Sequence, residues 1–221
     1  MGAYSVGIET KNKIINESIR LFYETGYIAT SCKMICQDAD INPGLLPYHF
    51  KSKSNIAKEI YFNFVRNHRA ACEEAFGDCK ERVVFNFASL MLFYDLILSD
   101  SHLRQFWYDI AISNILADPV FWEGEVFLRD IIDSYSLPIS EEELYTIYCI
   151  QNGMEIELTK NICKGLIKEP LSQVFQKQHY VTLTLLGFSQ SKAHDILSEA
   201  NQLKSQYRIK RLGYFDVAYE K

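Results

Sequence analysis

Apolar residues recur along this chain at spacings of three and four, the period of helices with one buried face, and runs of strand-like alternation are absent. From Lys11 to about Thr25, Ile14, Ser18, Leu21 and Phe22 fall at i, i+4, i+7 and i+8, with Ile15 beside them. Thr10 suits the N-cap and Gly26 the stop of this helix. Ser31 caps a second helix, with Ile35 and Ala39 facing inward. A third runs from Pro43 to about Phe50. Asn42 caps it, and Pro43 occupies a first position that needs no N–H. Ser52 caps a fourth, whose Ile56, Ile60 and Phe64, with Val65 alongside, form the buried stripe. This helix continues to Phe76, where Gly77-Asp78 interrupts it. Its roughly 24 residues would span roughly 36 Å, enough to leave a small head and enter a larger body. Further helices are expected over about 80–98, 101–116, 119–135, 140–167, 170–187 and 189–210. Pro119, Pro138 and Pro170 stand where helices begin. The tail from Leu212 to Lys221 has no clear period and reads as loosely held.

Composition changes the picture in two ways. Hydrophobic residues make up 48% of the 221 positions, so a sizeable core is available. The net charge of −5 is unevenly placed: residues 1–65 carry seven Lys/Arg and six Asp/Glu, and the remainder is acidic. A near-neutral head on an acidic body suits a local nucleic-acid module on a non-binding body. The six cysteines form no CxxC pair, there is no signal-peptide pattern, and no apolar run approaches the roughly 20 residues that span a bilayer. The expectation is a reduced, cytoplasmic protein without a membrane partner. Cys32 and Cys36, one turn apart, read as small side chains on a core-facing stripe rather than a metal or redox pair.

The segment Ile41 to Lys53, INPGLLPYHFKSK, carries the most functional information. It makes a helix, a tight turn and a short second helix, with Tyr48, His49, Lys51 and Lys53 at its end. Such a pair can lay its second helix in a DNA major groove while its flanks hold phosphates.

These residues resemble the head of a TetR-type transcriptional regulator. The resemblance covers about 50 residues: Leu21-Phe22 through Gly26-Tyr27, Thr30-Ser31, Ile35-Cys36 through Asn42, Gly44 through Phe50, and Ser52-Lys53. The rest of the chain matches in length and helical character. The resemblance implies a homodimer on a palindromic double-stranded operator, with a C-terminal body that binds a small effector and moves the heads. Repression relieved by the ligand is the usual mode.

Three positions depart from the pattern. Asp40 stands where glycine is common in the turn, a place where left-handed backbone costs Asp less than most residues. Cys36 replaces a usual alanine. Pro47 replaces a frequent tyrosine in the recognition helix; it removes an N–H and should leave that helix short, tight or bent.

For DNA contact, Lys51 and Lys53 are expected on phosphates, beside a helix N-terminus that itself attracts anions. Tyr48 and His49 suit a phosphate or a base edge; the alternative for either is packing against the head's core, which His49 suits equally. Gly44 and Leu45 front the recognition helix, where Leu45 can touch a thymine methyl. Asn42 caps the helix and faces the groove. Thr30, Ser31 and Lys33, at the start of the second helix, suit phosphates, although Ser31 equally serves as a cap alone. With no Arg in the recognition helix, the commonest guanine contact is missing, and specificity is expected to lean on water, shape and apolar contacts.

The body is rich in aromatics that either fill a core or line an apolar pocket. Trp107, Trp122 and Met154 are candidates for a ligand wall, and the effector is expected to have an apolar or aromatic part. The resemblance implies a dimer interface on the helices near 140–167 and 170–187, where Tyr148 and Leu183 are candidates, although burial inside the protomer would look the same in sequence. No GxSxG, HExxH, P-loop or GxGxxG motif is present, the five histidines are not at metal-ligand spacing, and no cofactor is expected, so enzyme readings fare poorly.

The sequence therefore predicts an all-α chain: a three-helix helix-turn-helix DNA-binding head over residues 8–55, then a helical ligand-binding and dimerisation domain over 56–212. The predicted function is ligand-responsive transcriptional regulation, with a homodimeric repressor as its form. The alternative is a helical small-molecule-binding or protein-interaction module with a weakened head.

Overall fold

The computed structural model describes the backbone of residues 2–115 and 122–221 and the side chains of residues 7–115 and 126–221. Ten helices and a two-stranded hairpin are present among the described residues. Helix α1 (Gly2–Glu24), α2 (Cys32–Asp38) and α3 (Leu45–Phe50) form the head, and α4 (Lys53–Phe76) leads from it into the body. Helix α1 starts earlier than the pattern predicts, so Thr10 lies inside it rather than capping it.

Local chemistry sets the head's boundaries. Gly26 ends α1 with φ +90, a conformation that favours glycine. The Ser31 hydroxyl accepts the Met34 N–H at the start of α2, and the Ser52 hydroxyl accepts the Asn55 N–H at the start of α4. Asp40 has φ 50, and the Ile41 N–H bonds back to the Cys36 carbonyl at 3.0 Å. This is the left-handed helix stop in which Asp replaces glycine.

Helix α3 begins at Leu45, two residues later than predicted, because the Asn42 side chain takes the Gly44 N–H at 2.9 Å and organises Pro43-Gly44 as a turn. Pro47 therefore lies in the first turn of α3, where a backbone N–H has no intrahelical partner and its loss is cheap.

The body comprises α5 (Arg82–Ser99), α6 (Ser101–Ile112), α7 (Trp122–Tyr135), α8 (Glu141–Cys163), α9 (Leu171–Leu185) and α10 (Gln190–Lys204). Helix α5 packs against α4, α6, α7 and α10. By length and composition α5 is apolar enough to cross a membrane, but 67% of it is buried inside the fold, as befits the central helix of a bundle.

The tail corrects the sequence reading. Helix α10 stops at Lys204, and β1 (Arg208–Arg211) pairs antiparallel with β2 (Val217–Glu220). The hairpin is docked against α4, with Phe215, Val217 and Tyr219 buried. The Phe215 ring meets Phe106 of α6 at 4.8 Å, Phe64 of α4 at 5.5 Å and Tyr23 of α1 at 5.9 Å. Arg211 pairs with Asp100, which also accepts the Tyr23 hydroxyl at 2.7 Å. Burial pushes the Asp100 pKa up, but the Leu103 N–H, Tyr23 and Arg211 outweigh it and hold the carboxyl below its ordinary value. Head, body and tail thus meet at one junction.

Candidate nucleic-acid interface and body cavity

The turn and short helix of the head place one set of the expected DNA-contact residues outward. Asn42, Gly44, Leu45, Tyr48 and Lys51 are exposed, as are Ser31 and Lys33 at the start of α2. Tyr48 is 79% exposed, the highest value for any large hydrophobic side chain among the described residues. An aromatic left in water on a polar face is the kind of group that interfaces cover. His49 is half-buried and lies edge-on to Tyr48 at 5.0 Å. Leu46 and Phe50, on the opposite side of α3, anchor it in the core.

Two expected contacts point inward instead. The Thr30 hydroxyl is buried and donates to the Gly26 carbonyl at 2.7 Å, holding the α1–α2 loop closed. The Lys53 ammonium donates to the carbonyls of Tyr27 at 2.8 Å and Thr30 at 2.6 Å and sits 4.2 Å from the Tyr27 ring centre. Burial lowers its pKa. Lys53 thus ties the start of α4 to the α1–α2 loop, and its three N–H donors are largely committed within the head. Cys32 is exposed while Cys36 is buried, so the two do not share a core stripe.

The body reaches the same loop through α6. Asp109, buried, accepts the Ile28 N–H at 2.9 Å and the Gln105 side-chain amide at 2.7 Å. A Cβ added at Gly26 would lie 3.0 Å from the same carboxylate, so glycine also permits this close approach. Helix α6 also packs on α8.

Between α4, α5, α7 and α8 lies a cavity of about 130 Å³. Tyr61, Phe93, Phe127 and Tyr148 supply rings to its wall, and Arg69, Asn86, Gln151 and Glu155 supply polar groups. Arg69 is engaged with Asn86 at 3.0 Å and Asp130 at 2.8 Å, and Asp130 also takes Arg82 at 3.0 Å. Burial is the largest influence on Glu155 and raises its pKa to about 7. The sequence reading missed Gln151 and Glu155 because polar residues on a long helix ordinarily face solvent.

The predicted ligand wall fares differently. Trp107 is buried behind the cavity, near Glu155, and does not line it. Met154 lines a separate surface groove between α8 and α9. The Trp122 side chain falls outside the described residues. Tyr148 and Leu183, expected at a dimer interface, are 8% and 0% exposed within the protomer. Their helix faces turn into the bundle, and the apolar residues that α8 and α9 expose are Tyr145, Ile150, Val181 and Leu185.

Comparison with known proteins accords with this geometry. Residues 14–60 match the family model for bacterial regulatory proteins of the tetR family. The chain is 27% identical over 209 residues to YerO, an uncharacterized HTH-type transcriptional regulator of Bacillus subtilis (strain 168), across 76% of this chain and 70% of that protein. It is 26% identical over 98 residues to YttP, a probable HTH-type transcriptional regulator of the same organism, across 44% of this chain. The chain spans about half of the length of that relative, 47%. Among solved structures, RolR in complex with the ligand resorcinol superposes with a TM-score of 0.69 at 16% identity, covering 88% of this chain and 96% of that one. RolR without ligand gives 0.62, also at 16% identity, over 85% and 96%. At that identity the likeness establishes the fold.

Proposed function

We propose that this chain, a TetR-type DNA-binding regulator in its head and its fold, acts as a homodimeric repressor that leaves a palindromic operator when a small molecule enters the body cavity. The observation that carries the DNA-binding part is the outward set Asn42, Leu45, Tyr48 and Lys51 on a helix-turn-helix whose other side is locked into the core. Pro47, the motive for a weakened head, sits in a first helical turn that tolerates it. Recognition helices of a bound dimer should stand about 34–36 Å apart, one turn of the duplex.

Ligand response is supported by the placement of α6. It touches α8, which walls the cavity, and holds the head's α1–α2 loop through Asp109 and Ile28. A ligand that shifts α8 against α6 would bias the position of the head, provided it binds one arrangement more tightly than the other.

The test is fluorescence polarisation with labelled duplexes from the DNA upstream of the chain's own coding sequence, over a range of salt. Binding should be retained on one duplex at low salt and fall steeply as salt rises. An absence of binding at low salt without ligand would remove the regulator reading in favour of a ligand-binding module.

A further inference from the structure

One buried polar atom of the cavity wall, the Gln151 side-chain oxygen, is an unmet hydrogen-bond acceptor, and it bears on the chemistry of the occupant. Gln151 and Glu155 lie four residues apart on α8 and so share a face, and both line the cavity. Gln151 is 8% exposed, and its side-chain oxygen has no hydrogen-bond partner. A buried amide oxygen left bare carries a desolvation cost that a bound donor would recover.

Among the described residues, Glu155 has no cationic partner. The Tyr94 hydroxyl and the Trp107 indole N–H stand behind it and ease its charge, yet neither completes a hydrogen bond of ordinary geometry. The other charged and titratable groups around the cavity are engaged. Arg69 is held by Asn86 and Asp130. His68 is bonded to Tyr219 and Ser89, and burial keeps it neutral. A carboxyl group drawn partly out of water without a countercharge is costly to ionise, and an incoming cation favours its charged form.

The walls suit the same occupant. Tyr61, Phe93, Phe127 and Tyr148 border the space, and aromatic rings can attract an ammonium group. The volume of about 130 Å³ is close to that of an apolar cavity of about 150 Å³ that accepts benzene. One ring fits with little to spare.

We propose that the cavity binds a small amine: a single ring bearing an ammonium group that pairs with the Glu155 carboxylate and donates to the Gln151 side-chain oxygen. This rests on the cavity being the effector site of the regulator proposed above. A neutral alcohol or phenol of the same size would supply a donor but leave the carboxylate without a countercharge.

Isothermal titration of the full chain with benzylamine and with benzyl alcohol tests it, since the two match in ring and length and differ in charge. Benzylamine should bind at least tenfold more tightly, and Glu155→Gln should abolish that preference. Gln151→Leu should weaken benzylamine severalfold, and it decides the matter if Glu155→Gln does not fold. Equal or tighter binding of benzyl alcohol, survival of the preference in Glu155→Gln, or no binding of either probe would overturn the proposal. Operator polarisation with the same ligands separates this inference from the regulatory one. Benzylamine that binds through Glu155 without changing DNA affinity supports the amine site and counts against ligand-responsive repression.

Discussion

The His68 ring nitrogen Nδ1 and the Tyr219 hydroxyl are 2.6 Å apart, joining α4 to the last strand across 151 positions of sequence. On the other side of the ring, Nε2 lies 2.9 Å from the Ser89 carbonyl, which can only accept. The proton therefore belongs on Nε2, and Nδ1 accepts from the tyrosine. Tyr219→Phe removes that donor and leaves Nδ1 bare in the core. The expected loss is about 1–3 kcal/mol of folding stability, the cost of an unsatisfied buried group. Urea denaturation of the variant checks it, and an unchanged midpoint with unchanged slope would show that the hairpin bond contributes nothing.

Acid stability follows from two buried histidines and from the half-buried Glu155. Burial lowers the pKa of His68 from 6.5 to about 4 and that of His179 from 6.5 to about 3, and it raises Glu155 from 4.5 to about 7. As pH falls through 6.5 the unfolded chain takes up a proton at each histidine and the folded chain does not, so stability is lost. Glu155 works in the opposite sense: its folded form is already protonated below about 7, and it adds stability as pH falls towards its unfolded value. Between pH 6.5 and 4.5 the unfolded chain gains two protons from the histidines against one that the folded chain holds on Glu155. The expected net loss from these groups is about 1.4 kcal/mol per pH unit. In Glu155→Gln the opposing proton is gone, and the slope should steepen to about 2.7 kcal/mol per unit. Denaturant titrations at several pH values measure both slopes; equal slopes in the two proteins would count against a raised Glu155.

The exposed apolar residues of α8 and α9 make a prediction about assembly. Ile150 and Val181 are 40% and 39% exposed, and a groove lined by Met154, Leu158 and Val181 runs between these helices. If the two helices pair with their copies in a second protomer, Ile150→Glu combined with Val181→Glu should place like charges at the interface and yield a monomer. Light scattering coupled to size-exclusion chromatography reads the mass directly. A double variant that keeps the dimer mass would place the interface on another face.

The parts of this molecule that were legible in the sequence are those decided by neighbours in the chain. Ser31 and Ser52 cap helices because each needs only an N–H three residues on. Gly26 and Asp40 stop helices through their own backbone angles. Long-range partners were not legible. The hairpin was missed because Arg208–Arg211 and Val217–Glu220 are four residues each, too short for alternation to register. Glu155 was missed because nothing near it in sequence says that its helix face turns towards Phe93 and Tyr61. Lys53 reads as a phosphate contact because it is a long cation beside a helix N-terminus, whereas the carbonyls that claim it belong to Tyr27 and Thr30.

Lys51 and Lys53 should therefore separate when each is replaced. Lys51 is exposed at the end of α3, so Lys51→Gln should change folding stability by less than about 0.5 kcal/mol. It should weaken binding to all duplexes alike and lower the slope of log affinity against log salt by about 1. Lys53→Met keeps the stem against Tyr27 but loses both carbonyl bonds, leaving two acceptors of the α1–α2 loop unmet. That variant should lose about 1–3 kcal/mol of stability, with amide exchange speeding up across Gly26 to Ser31. Its loss of DNA affinity should come from a loosened head and leave the salt slope close to that of the parent protein. Thermal unfolding and salt-dependent polarisation on the same two proteins distinguish the roles. If Lys53→Met is as stable as the parent and instead lowers the salt slope, Lys53 is a phosphate contact and its inward bonds give way on DNA.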